Sequence, residues 1–134
     1  MNTFSIAIHG GAGTLVKGMM TTELEKQYKA ALKEALDAGY SVLESGGTSV
    51  DAVEKAVVVL EDSHLFNAGK GAVFTADETH EMDASIMNGR NLNAGAVSLI
   101  SGIKNPISLA AHVMEKSEHV FLAGEGAMQF AKMN

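Results

Sequence analysis

Apolar positions along this chain change period several times, and each change marks an element. Phe4 to Ile8 is a short, mostly apolar run, predicting a buried strand that leads into His9, Gly10, Gly11, Ala12 and Gly13. Leu24, Tyr28, Ala31, Leu32, Ala35, Leu36, Tyr40 and Leu43 then recur at helical spacing. Thr22 followed by Glu25 predicts a capping box at the start of that helix, and Gly46-Gly47 predicts a left-handed end. A second helix follows, capped by Thr48 or Ser49, with Val50, Val53, Val57 and Leu60 along its face. Its run Val57-Val58-Val59 is poor helix material, so burial rather than propensity has to hold it.

Beyond residue 71 the period shortens to two. Ala72 to Thr75 is a strand candidate. Glu81 to Met87 alternates: Glu81, Asp83 and Ser85 share one face, Met82, Ala84 and Ile86 the other. Asn88-Gly89 is a hairpin signal, and Ala94 to Ile100 is the returning strand. Asn105-Pro106 sets a cap before Pro at the first helical position, and Ile107, Ala110, Val113 and Met114 form the apolar stripe that follows. Val120 to Ala123 is a short strand or extended link, and Gly124 to Met133 a last short helix. No internal repeat interrupts this order. Helices beside a hairpin-rich sheet predict an α+β layer in one domain, residues 1–134, rather than a dinucleotide-binding unit.

Composition narrows the function classes. The chain has 134 residues, 46% hydrophobic and 19% charged, which is globular. A formal net charge of −6 argues against nucleic acid, which asks for a basic footprint. With no cysteine there is neither a disulfide framework nor a thiol nucleophile, a composition compatible with a reducing cytoplasm. The opening MNTFSIAIHGGAG has no basic start and is too short for a signal core. No run approaches the ~20 apolar residues of a membrane helix. A cytoplasmic chain with no membrane partner is the expectation.

Candidate chemistry is sparse in side chains and richer in backbone. His9, His64, His80, His112 and His119 lack zinc spacing. Glu81 and Asp83 on one strand face would suit acid–base work, but alternation of this kind is what any half-buried strand shows. The eight methionines read as core filler. His9-Gly10-Gly11 directly after a strand has the layout of an esterase oxyanion loop, yet no G-x-S-x-G turn accompanies it. A dinucleotide fingerprint is missing there too, so a tight connecting loop is the competing reading.

The segment from Leu60 to Lys70 is the best ion candidate. It ends a helix, where the last carbonyls lack intrahelical partners, and turns through Phe66, Ala68 and Gly69. Carbonyl oxygens converging from such a loop suit a hard alkali cation without any acidic side chain. Within it, Asn67 of NAGKG can serve simply as a turn former or use its amide to donate and accept across a seam.

Five motifs taken together, FSIAIHGGAG, FNAGKGAVFT, EMDASIMNG, NLNAGAVSL and NPISLAAHVMEKSEHVFLAGEGAMQFA, resemble the N-terminal part of the plant-type asparaginases, or isoaspartyl peptidases. These are N-terminal-nucleophile hydrolases, and the resemblance runs over essentially the whole chain. It implies one half of an αββα sandwich, completed by a separate β chain in an (αβ)2 heterotetramer. It implies hydrolysis of L-asparagine and β-aspartyl (isoaspartyl) dipeptides by a threonine at the start of that β chain, freed by self-cleavage. The substrate-clamping residues are expected on the β chain as well. In this chain the resemblance implies supporting roles for Asn67 and for the loop at Gly10 and Gly11. It also implies a structural sodium ion on the main-chain oxygens of Leu60, Glu61, Ser63, Phe66, Ala68 and Lys70. One departure is Asn88, where the family usually carries an acidic residue. Glycosylasparaginase, which shares the fold and nucleophile type, is the alternative enzyme, and a non-catalytic binding domain is the alternative of another class.

Overall fold

The computed structural model describes residues 3–11 and 18–134; Ala12 and Gly13 of the first glycine motif lie outside them. Among the described residues the architecture is α+β, with four helices and one three-stranded sheet. In chain order the elements are α1 (Thr22–Glu44), α2 (Ser49–Glu61), β1 (Met82–Met87), β2 (Ala94–Ile100), α3 (Pro106–Lys116), β3 (Phe121–Ala123) and α4 (Gly124–Met133). A single 3-10 turn, Gly69–Gly71, stands between α2 and β1.

The cap of helix α1 lies one residue before the expected one, so the helix begins at Thr22 itself. Thr21, not Thr22, is the N-cap, its hydroxyl accepting from the Leu24 amide at 3.1 Å. At the other end Gly46 takes φ +85°, a conformation that side chains resist, while the amides of Gly46 and Gly47 donate to Leu43 and Val42. That pair of bonds is a Schellman motif, as the two glycines predicted. Thr48 then caps α2 in a reciprocal box with Asp51. Of the predicted α2 face Val50 is buried, but Val53 remains 39% exposed, and Ala52 and Ala56 fill the interior instead. Small side chains prevail there because α1 lies directly against this face: a Cβ at Gly39 would meet the Ala52 carbonyl at 2.8 Å.

Strand β2 lies between antiparallel β1 and parallel β3, with α3 forming the crossover. Met82, Ala84 and Ile86 face the helices, as the alternation predicted. On β2 the inward residues are Gly95, Val97 and Ile100, a spacing of two and then three. A bulge absorbs the extra residue: Met82 pairs with Ile100, but Ala84 already pairs with Val97. Leu99 sits in the left-handed region at φ +54°, which for a leucine costs about 1 kcal/mol. Asp83 offsets that cost, its carboxylate accepting from the Leu99 amide at 3.0 Å and the Ser98 hydroxyl at 2.5 Å. The core forms where α3 and α4 meet the inner sheet face, around Val97, Ile100, Ile107, Ala110, Val113 and Ala127.

Two expectations for the extended segments need correction. Phe4 to Ile8 is not a strand, because none of its backbone groups pairs with another described residue. It lies instead over α1 and α2, Phe4 packing on the Tyr40 ring at 5.1 Å. Ala72 to Thr75 is not a strand either; its amides are occupied locally, by Gly69 for Ala72, Asn67 for Val73 and Thr79 for Thr75. The hairpin expected at Asn88-Gly89 is present, with β2 returning at Ala94. Its link spans residues 88–93, closed by Leu92 donating to the Asn88 carbonyl, with Leu92 rather than Gly89 at positive φ. The side chains of Asn88 and Asn91 accept from the Arg90 and Asn93 amides, so local asparagine turns shape this link.

Candidate functional site

The loop that follows α2 is built around its glycines. A Cβ on Gly69 would fall on the carbonyl oxygen of Glu61, and one on Gly71 on the carbonyl oxygen of Phe66, with the His64 carbonyl 3.0 Å away. Three carbonyls thus crowd toward the two positions where the chain has no side chain. Any other residue at 69 or 71 would push them apart. Leu60, Phe66 and Ala68 carbonyls also accept from the amides of Ser63, Ala68 and Gly71, which folds the loop back on itself. A carbonyl oxygen has a second lone pair and can serve an ion as well. Ser63 turns its hydroxyl inward to the Leu65 amide at 3.3 Å, and Lys70 is exposed.

The two glycine motifs meet at Phe66. This buried ring stands edge-on to Tyr28 at 5.7 Å, and a Cβ at Gly10 would meet it at 3.1 Å and Leu32 at 2.8 Å. The structure therefore brings Gly10 against the residue that precedes Asn67. Gly11, at φ +108°, has no atom of the described residues within 4 Å of where a Cβ would be. Beside it, Ile6, Ala7, Ile8 and His9 roof an apolar cavity of about 160 Å³ over Val53, Ala56, Val57 and Leu60 of α2.

Asn67 is exposed, and its side-chain oxygen accepts from the Val73 amide at 3.0 Å. The acceptor half of the amide is thus spent on the loop itself. Its NH2 group makes no hydrogen bond among the described residues. The turn role and the donor role therefore fall on different atoms of one side chain.

A residue singled out only for its main chain proves distinctive for its side chain. Glu61, the last residue of α2, is 3% exposed, and Oε1 accepts from the Ile107 amide of α3 at 2.9 Å. Asn105 holds the N-cap position of α3 as expected, but its side chain donates to Asp62 at 3.2 Å, and the Ile107 amide of the first turn is satisfied by Glu61 from 46 residues away. Lys104 adds an ion pair to Asp62 at 2.9 Å, and Ser108 donates to Glu54 at 2.6 Å. Burial pushes the Glu61 carboxyl above its ordinary value, opposed by the Ile107 amide and by Asn105. Its Oε2 is buried with no hydrogen-bond partner among the described residues. Sequence reasoning had no signal for this contact, because a glutamate ending a helix normally points to water.

Asp83 does not form a carboxylate pair with Glu81; its hydrogen bonds to Ser98 and Leu99 make it the clamp of the bulge. No group of three or more His, Asp or Glu side chains converges to hold a metal among the described residues. No described helix is long and apolar enough to cross a membrane. A cleft of about 660 Å³ is lined by the start of α2, the 88–93 link and the end of α3. The α2 amide there is already taken by the Thr48 box, and the cleft contains none of the predicted site residues.

An α+β layer with two glycine loops joined at its edge defines a protein whose candidate site is made of backbone rather than of a side-chain cluster. A family model described as asparaginase matches residues 2–134, and the chain belongs to that family. It is 49% identical over 131 residues to an isoaspartyl peptidase of Salmonella typhimurium, covering 98% of this chain and 42% of that protein. It is 52% identical to an isoaspartyl peptidase/L-asparaginase of Xenopus laevis, covering 95% of this chain and 40% of that protein. With a plant-type L-asparaginase of Pyrococcus furiosus the identity is 50%, over 96% of this chain and 40% of the relative. The chain thus spans about two fifths of the length of the curated relatives it matches.

Proposed function

We propose that this chain is the α-subunit part of an autoprocessed amidohydrolase acting on L-asparagine and β-aspartyl dipeptides. The observation that carries the reading is the meeting of Gly10 with Phe66, which sets the His9-Gly10-Gly11 loop beside the Asn67 turn. The names of relatives that share half of its residues over nearly all of this chain support the substrate class.

In this reading the nucleophile is a threonine at the start of a β subunit, cut from the same precursor, whose own α-amine acts as base. Its hydroxyl attacks the amide carbonyl, the amine takes the proton and passes it to the leaving nitrogen, and the C–N bond breaks. Water then hydrolyses the acyl ester. Asn67 contributes its NH2 group toward that threonine while Val73 holds its oxygen. The Gly10-Gly11 backbone lies on the same seam in this reading.

The β subunit also supplies the missing layer of an αββα sandwich. Support comes from the outer sheet face, where Met87, Leu99 and Phe121 stand 56–57% exposed, and from the unpaired Phe4–Ile8 segment. An (αβ)2 heterotetramer is the assembly, and a cytoplasmic location accords with the cysteine-free composition.

Sodium fits the loop after α2. The donors are the main-chain oxygens of Leu60, Glu61, Ser63, Phe66, Ala68 and Lys70. They form a neutral, all-oxygen set suited to a hard monovalent ion, and the glycine-lined crowding of the Glu61 and Phe66 carbonyls provides the concavity. The ion's role is structural: it holds the loop that presents Asn67.

The test is to express the full-length precursor, follow its mass, sequence the N-terminus of any second chain, and assay both substrates. The expected result is two chains in equal amount, the second beginning with threonine, and turnover of asparagine and of a β-aspartyl dipeptide. A folded, uncut precursor that hydrolyses neither substrate refutes the proposal.

A further inference from the structure

We infer that the Glu61 carboxylate is a positioning residue for the cation loop, anchoring the end of α2 to the first turn of α3 so that the loop's carbonyls stay in register. The inference rests on the sodium reading above and adds to it a side chain that coordinates nothing.

Glu61 occupies an unfavourable place for an acid. It is the last residue of α2, where the helix dipole disfavours negative charge, and no basic residue stands in that last turn. It is also 3% exposed, and a buried carboxylate is costly unless its hydrogen bonds are made. What it meets is the opposite end of another helix, the amide of Ile107 in the first turn of α3, where negative charge is favoured. The same residue is wedged from the other side. Gly69 lies so close that its missing Cβ would strike the oxygen, carbonyl carbon and Cβ of Glu61. The direction of the Glu61 carbonyl is therefore set between Gly69 and the α3 anchor. Asp62 adds its contacts to Lys104 and Asn105, but these are exposed and contribute little by comparison. Partners of metal ligands that hold them in place typically change affinity about 10–100-fold when removed.

The anchor depends on reach, because it has to span from α2 to the Ile107 amide. Glu61→Gln keeps the length and an oxygen acceptor but removes the charge. Glu61→Asp keeps the charge but is one methylene short, and Glu61→Ala has neither. The assembled full-length protein is melted over a sodium chloride series, with choline chloride holding ionic strength constant. The sodium concentration giving half of the stabilisation is the readout. Glu61→Asp and Glu61→Ala should raise it about tenfold or more, and Glu61→Gln should leave it close to wild type. If all three variants lower the melting temperature equally at every sodium concentration, with the half-point unmoved, Glu61 is only a packing residue and the inference fails. Should Glu61→Ala not fold, the Asp and Gln pair decides alone. A wild type that shows no sodium response overturns the sodium reading itself, before any variant is compared, and this inference with it.

Discussion

Asn67 is the residue at which turn chemistry and the proposed catalytic role compete, and its one hydrogen bond among the described residues uses a single atom of the amide. Oδ1 holds the Val73 amide, while the NH2 group is turned to no described residue. Asn67→Asp keeps the acceptor and removes the donor; Asn67→Ala removes both. In the full-length protein Ala should therefore lose about 0.5–1.5 kcal/mol of stability with the Val73 bond, and Asp much less. Both should lose turnover or self-cleavage, measured as kcat and as the rate at which the second chain appears. If Asn67→Asp matures and turns over like wild type, Asn67 is a turn former alone. Asn67 stands out in the sequence through the family resemblance, since an asparagine amid glycines is by itself an ordinary turn former. The sequence could not say which atom served which role, because that depends on Val73 lying within reach six residues later.

Elements with local causes were legible and those with distant causes were not. Helix α2 begins where Thr48 predicts, and α1 ends where Gly46-Gly47 predict, because caps are closed by residues three to five positions away. The bulge in β2 and the Glu61 contact at the first turn of α3 escaped, since Asp83 and Glu61 act across 15 and 46 residues. Asp83 offers a test at this scale. The Ser98 hydroxyl and the Leu99 amide hold its carboxyl below the usual carboxylate range. A depressed folded value means that its stabilisation is full above the unfolded value of about 3.9 and is lost as pH falls through the folded one. Asp83→Asn should accordingly melt below wild type at pH 7, with the gap narrowing below about pH 4. Because Asp83 is exposed, the difference should be small. Thermal melts at pH 7 and pH 3 would decide, and an equal gap at both would show that the bulge does not depend on the charge.

At the scale of the whole molecule, the pattern of apolar residues exceeds what these elements cover. Phe4, Ile6 and Ile8 turn toward α1 and α2 while Ser5 and Ala7 are exposed, which is the alternation of a strand, yet the segment has no ladder among the described residues. The sequence predicted a strand there because alternation reports how side chains are divided between two faces. It says nothing of where the hydrogen-bonding partner comes from. A strand in the same sheet as a β subunit reconciles the two. In the full-length protein the amides of residues 4–8 should then exchange slowly with deuterium, by orders of magnitude more slowly than in residues 1–134 expressed alone. The shorter piece should also fail to hydrolyse asparagine or β-aspartyl dipeptides, since the proposed nucleophile is supplied by the β subunit. Hydrogen exchange read by mass spectrometry on both forms distinguishes the outcomes. Equal, rapid exchange at residues 4–8 in an active full-length enzyme would mean that this segment is only a cover for α1 and α2. Turnover by the 134-residue piece, free of any other fragment, would place the reacting group within it and overturn the two-chain reading.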